Sequence, residues 1–333
     1  MIKILLLCLM LIAACSDAGR EKVVVVYASV DQPYAEPILK KFSQETKIKV
    51  LPVFDVEAAK TTGLVNRLVA EKGHPQADVF WNGEFAQTLV LKGKGVLAPY
   101  HSPAAPDIPP AYRDPDGHWT AFGGRARVLL VNRRELPAPP SSFSLLELLD
   151  SPWPAERLGL AYPLFGTTLT QAAALYAYLG PEKAKDFFEK IKARGLRFTA
   201  GNATVRDLVV QGQLLMGLTD TDDACAAIRR GAPVEAYFPD QDGMGTLIIP
   251  NTVALVAGAP HPEAGRAFID FMLSPEVEKM MLASGWCQVP SRPLAADPVC
   301  FKENSIKGMN LSLPEIAQQL PRVQQEMREL FVR

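Results

Sequence analysis

No excess of basic charge marks this chain: 35 Lys and Arg stand against 36 Asp and Glu, for a formal net charge of −1. A nucleic-acid partner, which asks for a strongly basic face, is not favoured. Histidine is scarce. His74, His101, His118 and His261 form no H-x-x-x-H pair, and His74, His101 and His261 lie close to prolines, as in turns. The G-x-S-x-G of a serine hydrolase and the glycine-rich P-loop of a nucleotide-binding enzyme are both missing. There is no internal repeat and no low-complexity tract. A composition of 48% hydrophobic and 21% charged residues belongs to a globular chain, not a disordered one. At 333 residues, about two domains with separate cores are expected.

The apolar run Ile4 to Ile12 is too short to span a bilayer. A positive start (Met1-Ile2-Lys3) precedes it and Ile12-Ala13-Ala14-Cys15 follows, so residues 1–15 read as a signal peptide ending in a bacterial lipobox. A plain signal peptide is the alternative. On the lipobox reading Cys15 carries the lipid that holds the chain at a membrane surface, and residues 16–21 form a tether. The expected location is the periplasm or cell surface. By resemblance to lipoprotein sorting signals, Ser16 in place of Asp favours the outer membrane of a two-membrane bacterium. Of five cysteines, Cys8 leaves with the signal and Cys15 is the anchor. Outside the cytosol a disulfide is permitted. Cys287 and Cys300 enclose a proline-rich loop and are the expected pair, with Cys225 left as a buried thiol. No zinc spacing is present.

Strand and helix patterns alternate. Val23-Val24-Val25-Val26 is a continuous apolar run, suited to a strand buried on both faces. Asp31 with Pro33 predicts a helix carrying Ile38, Leu39 and Phe42. Further strands are predicted over 48–54, 77–81, 125–131, 158–162, 196–199, 214–218 and 234–238, with a long apolar run over 246–256. Helices are predicted over 55–71, 166–179, from Pro181 past Ile191, over 202–212, 261–273 and 275–282, and from Leu313 onward. This alternation means an α/β fold with mostly parallel sheets. Arg125 and Arg127 share a face by strand alternation.

The stretch Thr219-Asp220-Thr221-Asp222-Asp223 stands at a strand-to-helix turn, the edge where open α/β sheets bind ligands. One acid would serve as a helix cap. Three crowd one another unless a cation or a donor-rich ligand relieves the repulsion. Gly166-Thr167-Thr168 opens a helix whose free N–H groups can hold an anion or merely be capped. Asn202 opens another, and Arg125 and Arg127 can neutralise an anion or pair with acids. Asp240-Gln241-Asp242-Gly243-Met244-Gly245 lacks the closing acid of a calcium loop and reads as a turn.

Several strings together resemble the solute-binding proteins of bacterial ABC importers, most closely the ferric-iron-binding kind. They are Ala77-Asp78-Val79-Phe80-Trp81, Arg125-Ala126-Arg127-Val128, Gly166-Thr167-Thr168, Gly217 to Asp223, Ile249 to Ala254 and Ala259 to Ala264. The resemblance covers residues 22–292. It implies the type II periplasmic-binding fold: two lobes, each a mostly parallel sheet flanked by helices, joined by a hinge. Lobe one would comprise 22–123 plus 248–333 and lobe two 124–247, closing over a solute. The partners implied are the importer's permease and ATPase subunits, and the chain would act as a monomer with no resident cofactor. The cargo implied is ferric iron or another metal with a companion anion, or a small cationic or polyhydroxylated organic solute. The family's two adjacent tyrosine ligands fall on Asp222 and Asp223, with Asp220 beside them. Its histidine falls near Val30 and Asp31, and its acidic ligand near Gly83, between Asn82 and Glu84. Its anion pocket matches Gly166, Thr167 and Asn202. Carboxylates in place of phenolates still suit hard cations.

A rival reading is enzymatic. Asp220-x-Asp222 resembles the nucleophile motif of haloacid-dehalogenase-type phosphatases. Those enzymes need further lysine and acidic motifs downstream, and no convincing set follows.

Overall fold

The computed structural model describes residues 21–55, 62–301 and 306–332. The signal peptide, Cys15 and the tether through residue 20 lie outside the described residues. The first parallel set is β2-β1-β3, built from β1 (Val23–Ala28), β2 (Lys49–Phe54) and β3 (Val79–Asn82). Helices α1 (Gln32–Thr46), α2 (Thr62–Ala70) and α3 (Ala86–Gly93) interleave with it, and a short β4 (Leu97–Ala98) follows. The apolar run of β1 is explained by its two faces. Val24, Val26 and Ala28 join the core under α1, α8 (Pro262–Met272) and α9 (Pro275–Ser284), while Tyr27 joins the core under α2 and α3. A fully buried aliphatic side chain contributes about 1.5–3 kcal/mol, so both faces hold the strand in place.

The second parallel set is β8-β6-β7, from β6 (Leu158–Ala161), β7 (Arg197–Thr199) and β8 (Met216–Asp220). Here α4 (Gly166–Leu179) and α5 (Pro181–Arg194) contribute to one core, and α6 (Asn202–Val210) and α7 (Thr221–Arg229) to another. Two long antiparallel strands join the halves. β5 (Thr120–Asn132) pairs with β10 (Ile248–Val256) through residues 120–126, then with β8 and β9 (Val234–Tyr237) through 127–132. The β5–β10 register slips at Pro250/Asn251. The parallel sets therefore match the expected α/β architecture, and the joining strands are antiparallel. β5 begins five residues before the predicted 125 because Thr120 to Gly124 pair with β10.

The last helix, α10 (Leu313–Phe331), opens with a capping box between Ser312 and Glu315. It packs against both α4 and α3, and Tyr176 Oη donates to Glu326 Oε2 at 2.7 Å.

Two local expectations are corrected. The disulfide joins Cys225 to Cys300, with Cα atoms 5.6 Å apart, and Cys287 is the buried free thiol. Nearness in sequence misled here. Cys287 turns toward the β5–β10 junction, where Asn251 Nδ2 donates to its sulfur at 3.3 Å, and the chain beyond it brings Cys300 to α7. The separation of 75 residues makes the link worth about 4 kcal/mol on a chain-entropy account. Helix α3 follows the Asn82-Gly83-Glu84 turn with no Ser, Thr, Asn or Asp at its N-cap, Phe85. Its first N–H groups are met instead by the Glu84 carboxylate. The segment 240–245 is a turn, with Gly243 and Gly245 N–H both donating to Asp240 O.

Candidate functional site

A cavity of about 410 Å³ opens between the two halves of the sheet. On one side it is lined by Asp31 and Tyr34 of the β1–α1 corner and by Gly83 and Glu84. On the other it is lined by the starts of α4, α6 and α7, and Arg125 of β5 reaches in from the junction. A second cavity, of about 40 Å³, lies among mostly apolar side chains beneath α4 and α5, and Thr168 borders both cavities.

The acidic turn sits where the sequence predicts, with Asp220 ending β8 and Asp222 and Asp223 in the first turn of α7. The three carboxylates each offer an oxygen within 4.8 Å of the others. Guanidiniums offset them. Arg127 Nη1 donates to Asp220 Oδ1 at 2.6 Å, Arg125 Nη1 to Asp220 Oδ2 at 3.2 Å and to Asp222 Oδ2 at 3.4 Å, and Arg206 Nη1 to Asp223 Oδ1 at 3.1 Å. Asp220 also accepts from Thr167 Oγ1 at 2.7 Å and Asn202 Nδ2 at 3.0 Å. Burial pushes the Asp220 carboxyl up, but Arg127, Arg125 and Thr167 together outweigh it and hold it below the usual range. Asp220 is thus an anchor that fixes two arginines, a threonine and an asparagine, a role unlike that of an attacking nucleophile. Asp223 goes the other way. Burial and then the charges of Asp222 and Asp220 raise it well above the usual range, against Arg206 and the Thr219 hydroxyl.

The predicted anion side is also assembled in one place. Gly166 has φ +58° and starts α4 without a side-chain cap. The first helical bond there is donated by Leu169 to Phe165 O, which leaves the N–H groups of Gly166, Thr167 and Thr168 ahead of it. α6 likewise starts at Gly201 with no side-chain cap, and its first bond is donated by Val205. Both starts line the cavity. The hydroxyls of Thr167 and Thr168 face Arg127 and Asn202, so an anion would be held by backbone N–H groups and the helix dipoles.

On the opposite wall the predicted residues divide. Asp31 lines the cavity and precedes α1, but it makes no side-chain cap bond. Asn82 is fully buried beneath the wall, bonded to Ser29, Glu84 and Thr88. Glu84 borders the cavity, yet its carboxylate accepts from Asn82, Ala86 N, Gln87 N and Thr170 Oγ1. Burial raises its pKa despite those donors.

Among the cavity residues outside the predicted set are Tyr34 and Arg206. Tyr34 stands three residues after Asp31, one helical turn on, and packs at a tilt against Trp286, ring centroids 5.1 Å apart. Its pKa is raised by burial and then by Asp222, Asp223 and Asp31. Arg206 lies four residues after Asn202 on α6. Helical spacing from residues already singled out is the signal that marks both.

The profile of the family described as "Bacterial extracellular solute-binding protein" matches residues 38–307. "Iron uptake protein A1" of Synechocystis sp. is 26% identical over 280 residues, covering 80% of this chain and 76% of that protein. A "Putative 2-aminoethylphosphonate-binding periplasmic protein" of Salmonella typhi is 25% identical over 230 residues, covering 67% and 65%. Among solved structures, iron-bound HitA from Pseudomonas aeruginosa superposes with a TM-score of 0.81 at 23% identity, covering 92% of this chain and 99% of that one. The two-lobed architecture of such proteins is the fold found here. This chain belongs to the bacterial extracellular solute-binding protein family.

Proposed function

We propose that the chain is the extracytoplasmic receptor of an ABC importer, taking ferric iron with a companion anion and passing it to the permease and ATPase subunits. One observation carries this reading. Asp31, Asp222 and Asp223 line the same 410 Å³ cavity as the uncapped starts of α4 and α6. A hard cation suits the first set and an anion the second. The names of the Synechocystis and Pseudomonas proteins support an iron cargo. On this proposal the hinge lies where β5 and β10 pass between the halves, near residues 123 and 247. The lobes are 22–123 plus 248–333 and 124–247, with α10 of the first also resting on α4 of the second. Cys15 bears the lipid anchor, and the receptor works as a monomer.

Calorimetry with ferric citrate is the test. Asp222→Ala with Asp223→Ala should weaken binding at least tenfold; unchanged affinity rejects the site. Partition of cell-expressed protein into detergent, lost in Cys15→Ala, tests the anchor.

A second cargo, a small organic solute bearing an anionic group, is favoured by the arginines. Arg125, Arg127 and Arg206 balance the three acids one for one, which reduces the pull on a bare cation. The name of the Salmonella relative fits this chemistry. Native mass spectrometry of untreated protein separates the two, since an iron adduct and an organic phosphonate differ in mass.

A further inference from the structure

Arg125 donates to two of the three clustered acids, Asp220 and Asp222. Its side chain is only 8% exposed. Nη2 donates to Gly83 O at 2.8 Å, while Nη1 is shared between Asp220 and Asp222 at 3.2 and 3.4 Å. Among the described residues the Nε–H of Arg125 and that of Arg127 are both buried with no acceptor. The Nη groups differ: Arg127 holds Asp220 at 2.6 Å and bonds Thr167 and Asn202 as well. By distance, Arg127 is the fixed partner of the acids and Arg125 the loose one, its carboxylate contacts at the outer limit of hydrogen bonding. Arg125 also has somewhere to remain if it lets go. Its Cζ lies 4.4 Å from the centroid of the Trp286 ring, and its Nη2 bond to the Gly83 carbonyl does not involve the acids.

We propose that Arg125 is a tethered competitor for the acids: its guanidinium holds Asp222 when no cargo cation is present, any hard cation must displace it, and Arg125 thereby sets the cation selectivity of the cleft. This rests on the reading that Asp222 and Asp223 receive the cation of the cargo. Asp220 stays with Arg127 throughout. Once displaced, the Arg125 Nη1 donors are available to an anion in the same cavity.

Terbium(III) is the probe: a hard trivalent cation whose luminescence is excited through a nearby indole, here Trp286. The full chain is titrated with Tb³⁺ as wild type, Arg125→Gln and Arg125→Lys. Arg125→Gln should bind at least tenfold tighter than wild type, Arg125→Lys should show no such gain, and adding Asp222→Asn to Arg125→Gln should abolish it. The proposal is overturned if Arg125→Gln binds no tighter while its circular dichroism and melting match wild type, or if the lysine variant gains as much. If Arg125→Gln does not fold, Arg125→Met takes its place: a tenfold gain in Tb³⁺ affinity supports the competitor role, and an unchanged affinity overturns it. A wild type that ignores ferric citrate beside a variant that gains Tb³⁺ would reject iron as the cargo and keep the competitor. The reverse pair of results would do the opposite.

Discussion

Thr170 Oγ1 donates to Glu84 Oε2 at 3.1 Å, linking α4 of one half of the sheet to the turn that opens α3 of the other. Both residues are buried, at 1% and 2% exposure. A hydrogen bond to a charged group typically contributes about 1.5–3 kcal/mol. Thr170→Val keeps the shape and removes the donor, leaving Glu84 with its bonds from Asn82, Ala86 and Gln87. Its expected effect is a loss of about 1–2 kcal/mol in urea unfolding, together with weaker solute binding, because the contact exists only while the halves are together. Equal stability and equal affinity in the variant would mean that this bond does not help hold the cleft shut.

Asp223 gives a pH test with a definite sign. Its folded-state pKa lies above its unfolded one, so between the two values the folded protein binds more protons than the unfolded chain. Stability therefore falls as pH rises through that window, and at neutral pH the carboxylate is a net cost. Asp223→Asn removes the charge, keeps one acceptor oxygen for Arg206, and places an amide N–H that can donate to the Thr219 hydroxyl oxygen. The variant is expected to melt higher than wild type at pH 7, with the difference shrinking toward pH 4. A variant that melts lower at pH 7 would show that the Arg206 pair outweighs burial and the neighbouring acids. A costly acid kept at this place is what a binding site trades for its cargo.

The sequence makes the strands, most helices and the acidic turn legible because those features are local. The two-faced burial of β1 is written in four consecutive valines, and the shared face of Arg125 and Arg127 in their spacing of two. What cannot be read locally is pairing across the fold. Nothing near Asp220 in the chain announces Arg127, 93 residues away, so the guanidinium beside each of the three carboxylates is not legible there. Cys287 and Cys300 suggest a loop closure only while the route of the chain between them is unknown. Helix α3 escapes because its cap is the Glu84 side chain, one residue before the usual position. That same use of its oxygens turns a residue read as a solute ligand into part of the wall.

The Arg127–Asp220 pair puts such pairing across the fold to the test. Both side chains are almost fully buried, 0% and 1% exposed, and Nη1 to Oδ1 is 2.6 Å. Removing one partner of such a pair leaves an uncompensated charge in the interior, a loss of about 3–5 kcal/mol. Arg127→Met should therefore destabilise the protein by that order in urea unfolding. It should also raise the Asp220 pKa, because one of the two guanidiniums that hold it down is gone. Adding Asp220→Asn to Arg127→Met removes the stranded charge and should recover a large part of the loss, whereas two independent effects would simply add. Recovery ties the arginine to the aspartate as one unit. A small cost for Arg127→Met alone, below about 1 kcal/mol, would instead mean that Thr167, Asn202 and Arg125 suffice to hold Asp220, and that its oxygens are open to a cation after all.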